Sequence, residues 1–103
     1  MALIMAELDE IIHQPARLRL MAALAGLGER ESLDFRTLGS ALGLTDGNLG
    51  AHLLKLEEAG YVRVEKTFVA RKPRTYLSLT KRGREAFGAH VAALRSILGM
   101  KDA

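Results

Sequence analysis

Apolar residues recur at helical spacing along most of this chain and change to strand spacing only once. Ile4, Leu8, Ile11 and Ile12 stand at i, i+4, i+7 and i+8, which predicts a short helix over residues 1–13. Pro15 breaks it or starts the next helix, because proline suits the first helical turn. Leu18, Met21, Leu24 and Leu27 then mark one face of a second helix, with Arg17 and Arg19 pointing elsewhere and Gly26 and Gly28 ending it. Ser32 and Leu33 fit a short extended segment. A third helix follows from Asp34, its N-cap, to Leu42, with Phe35, Leu38 and Leu42 inward and Ala41 beside them. Gly43 occupies the place of a left-handed C-terminal residue. Thr45 caps a fourth helix, on which Leu49, Leu53 and Leu56 repeat. Two helices joined by about three residues, with glycine in the turn, form a helix-turn-helix pattern.

After Gly60 the period shortens. Tyr61, Val62, Val64, Phe68 and Val69 favour a strand, and residues 75–80 (TYLSLT) alternate as a second one. Residues 70–74 (ARKPR) between them read as a basic tip stiffened by Pro73, so the pair predicts a β-hairpin. Thr80 caps a last helix running to about Met100, with Phe87, Val91, Leu94 and Leu98 on one stripe and Ile97 beside them.

Helix, short strand, helix, helix, hairpin, helix is the order of a winged helix-turn-helix: a mainly α fold with a small β-hairpin, in the α+β class. The chain divides accordingly into N-terminal helices (1–27), the helix-turn-helix (34–60), the wing (61–80) and a C-terminal helix (81–100), all within one domain over 1–103. The sequence LTDGNLGAHLLKLEEAGYVRVEK, followed by KPRTYLSLTKRGREAF, resembles small stand-alone winged-helix transcriptional regulators related to the MarR and ArsR families. IIHQPARLRLMAAL resembles their first-helix signature, His-x-Pro-x-Arg-Leu. The likeness runs from about residue 8 to 98, and its specificity lies in the combination of N-L-x-x-H-L-x-K-L-E-x-A-G-Y-V, the basic wing and L-T-x-x-G-R. It implies a homodimeric DNA-binding regulator, with the second helix of the helix-turn-helix in the major groove and the wing on backbone or minor groove.

The fourth helix carries two glycines, each of which lowers helix stability by roughly 0.8–1 kcal/mol relative to alanine. With Leu49, Leu53 and Leu56 inward, Gly47, Ala51 and Glu58 fall on the opposite face, flanked by Asn48, Lys55 and Leu54. A face so bare could sit deep in a groove. Gly47 would permit that approach, whereas Gly50, toward the side, is expected to let the helix pack closely on the preceding one. Thr45, Asn48 and Lys55 are the polar groups placed to touch DNA, Asn to adenine and Lys to phosphate or guanine. Thr45 is equally explained as a cap alone. His52 belongs to the family motif but lies nearer the inner side, where packing or hydrogen bonding is the plainer role. Leu54, Gly50 and Ala51 depart from the polar residues common in the resembling regulators.

Charge sharpens the picture. The span from Lys66 to Arg84 holds seven cations and no carboxylate, against +3 for the whole chain, so the remainder carries −4. A basic patch on an acidic body suits a polyanion: nucleic acid first, an acidic membrane surface second. Arg71, Lys72 and Arg74 at the tip, with Arg36 on the third helix, are the phosphate candidates. Lys81, Arg82 and Arg84 open the last helix, against its dipole, which favours an anionic ligand there. Arg17 and Arg19 are placed equally for ion pairs with Glu7, Asp9 or Glu10.

The last helix bears a longer apolar stripe than so small a core needs. Val91, Leu94, Ile97 and Leu98, with Leu8, Ile11 and Ile12, are therefore expected to form a homodimer interface, where an unidentified small-molecule effector could also bind. There is no cysteine, and His13, His52 and His90 have no clustered acidic partners, so neither a metal nor a cofactor is expected. No catalytic constellation or phosphate-binding glycine loop occurs, so the chain is not expected to be an enzyme. The apolar start is too short to span a membrane and is followed at once by acids, which suits a cytoplasmic protein. The alternative function is a winged-helix protein-interaction module without DNA binding, using Gly47, Gly50, Ala51 and Leu54 as a smooth docking face.

Overall fold

The computed structural model describes residues 7–100. Its elements are α1 (Pro15–Ala25), β1 (Leu33–Asp34), α2 (Phe35–Leu42), α3 (Asp46–Glu58), β2 (Val62–Val69), β3 (Lys72–Leu79) and α4 (Lys81–Ile97). The strands form one antiparallel sheet in the order β1-β3-β2. Leu33 pairs with Leu77, and the hairpin register runs from Val62–Leu79 out to Val69–Lys72.

Capping side chains set where the helices begin. Gln14, Asp34, Thr45 and Thr80 each accept a backbone N–H from the first turn of α1, α2, α3 and α4 respectively. Gly43, at φ 66°, turns the chain out of α2, while Leu44 N–H bonds back to the Gly39 carbonyl. That closes the helix-turn-helix within the residues between Leu42 and Asp46.

The core is built from Leu20, Met21 and Leu24 of α1, Leu38 of α2, and Leu49, Leu53 and Leu56 of α3. The sheet adds Val62, Leu77 and Leu79. Glycine permits two close approaches inside it. A Cβ on Gly39 would meet Leu49 Cδ2 at 3.3 Å, so α2 lies close against α3 there. A Cβ on Gly83 would collide with the Tyr61 backbone. Gly50 has open space where a Cβ would be, so it is not the packing glycine expected from its position.

The N-terminal stretch departs from expectation. Residues 1–6 of the predicted first helix lie outside the described region. Residues 7–13 make a single turn instead of a helix. Asp9 is the cause: its Oδ1 accepts from Ile11 N and Ile12 N, and its carbonyl accepts from His13 N, after which Pro15 restarts the chain as α1. Asp9 Oδ2 also accepts from the Tyr61 hydroxyl at 2.6 Å, and Asp9 N–H donates to His90 Nδ1 at 3.0 Å. This turn seats Ile12 wholly inside the chain's own core, which removes it from any interface with a second copy.

The face that α4 turns inward also differs. Gly83, His90 and Ala93 are buried, with Ala86 and Phe87 packed beside the core, so Val91 and Leu94 lie half-buried on the flank. Ile97 and Leu98 are well exposed, and the helix stops at Ile97, short of Met100.

The hairpin tip is tighter than the sequence suggests. Only Ala70 and Arg71 lie between the strands, at φ 50° and 66°, the signs of a type I′ turn. Lys72, Pro73 and Arg74 are strand residues. Val69 and Lys72 close a two-residue hairpin, so Pro73 opposite Phe68 falls at a non-hydrogen-bonded pair. Its missing N–H faces the outer edge of β3, beyond the reach of two-residue β1.

Candidate nucleic-acid interface

The exposed surface of α3 follows from where its leucines go. With Leu49, Leu53 and Leu56 buried, the helix leaves an arc open to solvent. Going round it from the wing side toward α1, the residues met are Leu54, Gly47, Glu58 at the far end, Ala51, Lys55 and Asn48, all exposed. No atom of another element stands within 4 Å of a Cβ built at Gly47, so the bare face is real open space. The Thr45 hydroxyl accepts from Asn48 N at 3.2 Å and acts as the cap, leaving the Asn48 side chain free of intramolecular hydrogen bonds among the described residues.

His52 closes the arc on the α1 side. It is half-buried, with Nδ1 3.3 Å from Arg17 Nη1. Burial first, and the Arg17 charge second, hold its pKa below the usual histidine value. A neutral ring accepting at Nδ1 fixes the α1–α3 contact, and the side chain is turned away from the outer line of the helix. Arg17 also donates to the Ile11 carbonyl, and Arg19 donates to the Leu42 carbonyl at 3.0 Å. Neither makes the ion pairs with Glu7, Asp9 or Glu10 that their positions allowed.

On the other side, two recesses separate α3 from the wing. The first is lined by Arg36 from the first turn of α2, by Asp46, and by Lys72, Pro73 and Arg74 from β3. Asp34 lies in it too, its carboxyl held below the usual range by hydrogen bonds from Thr37, with the nearby Arg74 charge a lesser cause. Three cations from two elements thus meet at one groove. The second recess brings Gly50 and Leu54 of α3 opposite Val64 and Lys66 of β2.

Arg71 stands at the tip, and Phe68 beside it is 73% exposed. Lys66 and Phe68 were not singled out by the sequence reading as surface-site residues. Strand alternation held the signal, since both share a face with the inward Val62 and Val64 but lie beyond the edge of the core.

The cations at the start of α4 divide. Arg84 Nη2 reaches the Leu27 and Gly28 carbonyls, both at 3.4 Å, and the Arg82 guanidinium lies 6.0 Å from the centre of the Tyr61 ring. Their conflict with the helix dipole is thus met by contacts within the chain, and the expected anionic ligand is not needed to explain them. Lys81 is exposed.

Among the described residues there is no cluster of three metal-binding side chains, and no helix is long and apolar enough to cross a membrane.

A helix-turn-helix braced by a three-stranded sheet, with a two-stranded wing alongside its second helix, defines the winged-helix class of nucleic-acid-binding folds. The chain belongs to the winged helix DNA-binding domain family, whose model matches residues 16–98. It is 38% identical over 82 residues to an uncharacterized protein of Methanocaldococcus jannaschii, covering 80% of this chain and 86% of that one. Its fold is similar to that of a transcriptional regulator homologue from Pyrococcus horikoshii OT3, with a TM-score of 0.79 and 31% identity over 88% of this chain and 87% of that one. It also shares its fold with AbsC, a MarR family transcriptional regulator from Streptomyces coelicolor, at a TM-score of 0.60 and 23% identity. That match covers 76% of this chain and 54% of AbsC. The expected resemblance to winged-helix transcriptional regulators therefore holds, and the likeness to MarR-type proteins holds in the fold.

Proposed function

We propose that this protein is a sequence-specific, DNA-binding transcriptional regulator that works as a homodimer in the cytoplasm, the whole chain acting as one winged-helix unit. α3 enters the major groove, and the wing follows the backbone into the adjacent minor groove. The observation that carries this reading is the juxtaposition of a bare helix face with a cationic wing. Gly47 and Ala51 leave α3 free to approach, and Arg36, Lys72 and Arg74 surround the recess beside it.

Roles follow from chemistry. Asn48 offers donor and acceptor together, the pattern that adenine matches, and Lys55 reaches guanine or phosphate. Arg36, Arg71, Lys72 and Arg74 neutralise phosphate charge and set the position of the protein on the duplex. Thr45 orders the first turn of α3, and His52 holds α3 against α1, so both act on DNA through the helix they position.

Ile97 and Leu98, 57% and 69% exposed, with Met100 beside them, provide the apolar surface for a second copy. Val91, Leu94, Leu8 and Ile11 are partly exposed and complete the set of residues proposed for that interface. An effector would bind where these elements meet.

Selection of bound sequences from a random duplex pool tests the proposal. Enrichment of a palindrome, with affinity falling steeply as salt rises, is expected. Recovery of no sequence at low salt would overturn it and favour the protein-interaction module.

A further inference from the structure

The outer line of α3 has an unusual chemistry for a helix that reads bases. From Gly47 to Leu54 it is about 10 Å long, the rise of about three base pairs. Along that length the exposed side chains from the wing edge of the arc to its centre are an isobutyl group, a hydrogen and a methyl: Leu54, Gly47 and Ala51. Leu54 is 56% exposed, although it lies one residue from the fully internal side of the helix. The hydrogen-bonding side chains, Asn48 and Lys55, stand at the α1 edge of the arc.

Among the features that base pairs display in the major groove, hydrogen-bond donors and acceptors are left unsatisfied against such a surface. Only the C5-methyl of thymine is complementary to it. We propose that Ala51 and Leu54 read thymine methyl groups, so that this protein selects half-sites by apolar contact at positions where a polar recognition helix would use hydrogen bonds. The proposal rests on α3 being the major-groove helix.

The geometry supports it on two further counts. Gly47, with open space around it, lets the start of the helix sink toward the groove floor, which brings Ala51 one turn later within reach of base edges. Glu57 and Glu58, three and four residues beyond Leu54, are exposed, so their carboxylates resist closer approach by the end of the helix. Leu54 then marks the wing-side limit of the stretch able to touch bases, with Lys55 beyond it toward α1. Its position beside Lys66 in the recess facing the wing keeps a cation close to the adjoining phosphate.

Replacing thymine by uracil deletes the C5-methyl and nothing else, which makes the test clean. Each thymine of a duplex obtained by random-pool selection is changed singly to uracil, and binding is measured with the wild type and with Leu54→Ala. At one or two positions per half-site uracil should weaken wild-type binding by about fourfold, the value of one buried methyl group. Leu54→Ala should bind the thymine and uracil duplexes alike at the position Leu54 covers. Ala51→Gly should remove the discrimination at a neighbouring position. Because both side chains are exposed, melting curves of the variants provide the check that they remain folded. Tight binding with no thymine–uracil difference anywhere overturns the methyl reading and leaves DNA recognition standing. A wild-type difference that persists in both variants also overturns it. Failure to bind any duplex overturns the major-groove assignment on which it rests.

Discussion

Gly83, in the first turn of α4, lies directly against the Tyr61 carbonyl: a Cβ built on it would stand 2.0 Å from that oxygen. The same carbonyl accepts from Thr80 N at 3.0 Å, and the Thr80 hydroxyl donates to the Gly60 carbonyl at 2.6 Å. The junction between α3 and the wing is thereby clamped to the start of α4. Backbone cannot yield as a flexible side chain does, so Gly83→Ala should destabilise the fold by about 3 kcal/mol, at the upper end of overpacking effects. A fall in Tm of roughly 12–24 °C would register it. An unchanged Tm would mean that α4 can shift without loss.

The glycines of α3 should behave in the opposite way. Neither Gly47 nor Gly50 has a neighbouring element within 4 Å of its Cβ position. Gly47→Ala and Gly50→Ala should each raise stability, by up to roughly 0.8–1 kcal/mol, as glycine is replaced in a helix. Gly47→Glu should leave the protein folded and abolish binding to duplex DNA, since it puts a carboxylate on the face that approaches the groove. Normal binding by that variant would show that α3 is not the reading helix.

The wing should control the salt response. Each phosphate contact contributes about −0.9 to the slope of log affinity against log salt. Replacing Arg71, Lys72 and Arg74 together by alanine should therefore make the slope shallower by about 2–3. A fluorescence titration at four or five salt concentrations measures this directly, and an unaltered slope would exclude the wing from the interface.

Acid should loosen the fold before its carboxylates titrate. Burial, and next the charge of His13, hold the pKa of His90 below its usual 6.5, against the opposing pull of Asp9. His52 is lowered in the same direction by burial and Arg17. Below pH of about 6.5 the unfolded chain takes up protons that these rings refuse in the fold. Stability from both is complete above that pH and is lost progressively as pH falls. Protonated His90 could no longer accept the Asp9 N–H, which ties the N-terminal turn and, through Asp9, the Tyr61 hydroxyl to α4. Tm should be flat above pH 7 and decline between about 6.5 and 5. His90→Gln keeps an acceptor for the Asp9 N–H without the titration, and should flatten part of that decline.

What was legible in the sequence was local. Asp34, Thr45 and Thr80 cap the helices expected of them, and Gly43 makes the turn, because a cap or a left-handed residue acts within three or four positions. The buried leucines of α3 and the basic residues of the wing were equally visible in spacing and charge. What stayed hidden joins distant parts of the chain. Asp9 meets Tyr61 across 52 residues and His90 across 81. With those partners it closes residues 7–13 as a single turn where the spacing predicts helix. Arg82 and Arg84 look like free cations until Tyr61, Leu27 and Gly28 are brought beside them by the fold. Gly50 was assigned the close helix contact that Gly39 makes, because one helix's periodicity does not say where a second helix crosses it.

The wing tip leaves a trade-off within two residues. Ala70 and Arg71 both hold a left-handed backbone that glycine would adopt freely, and such a conformation costs an ordinary residue roughly 1 kcal/mol or more. Arg71→Gly should therefore give a hairpin that melts later and a protein that grips DNA less well, whereas Ala70→Gly should gain the stability without surrendering the cation. Where glycine would relieve the backbone, the tip carries instead one of the wing's cations.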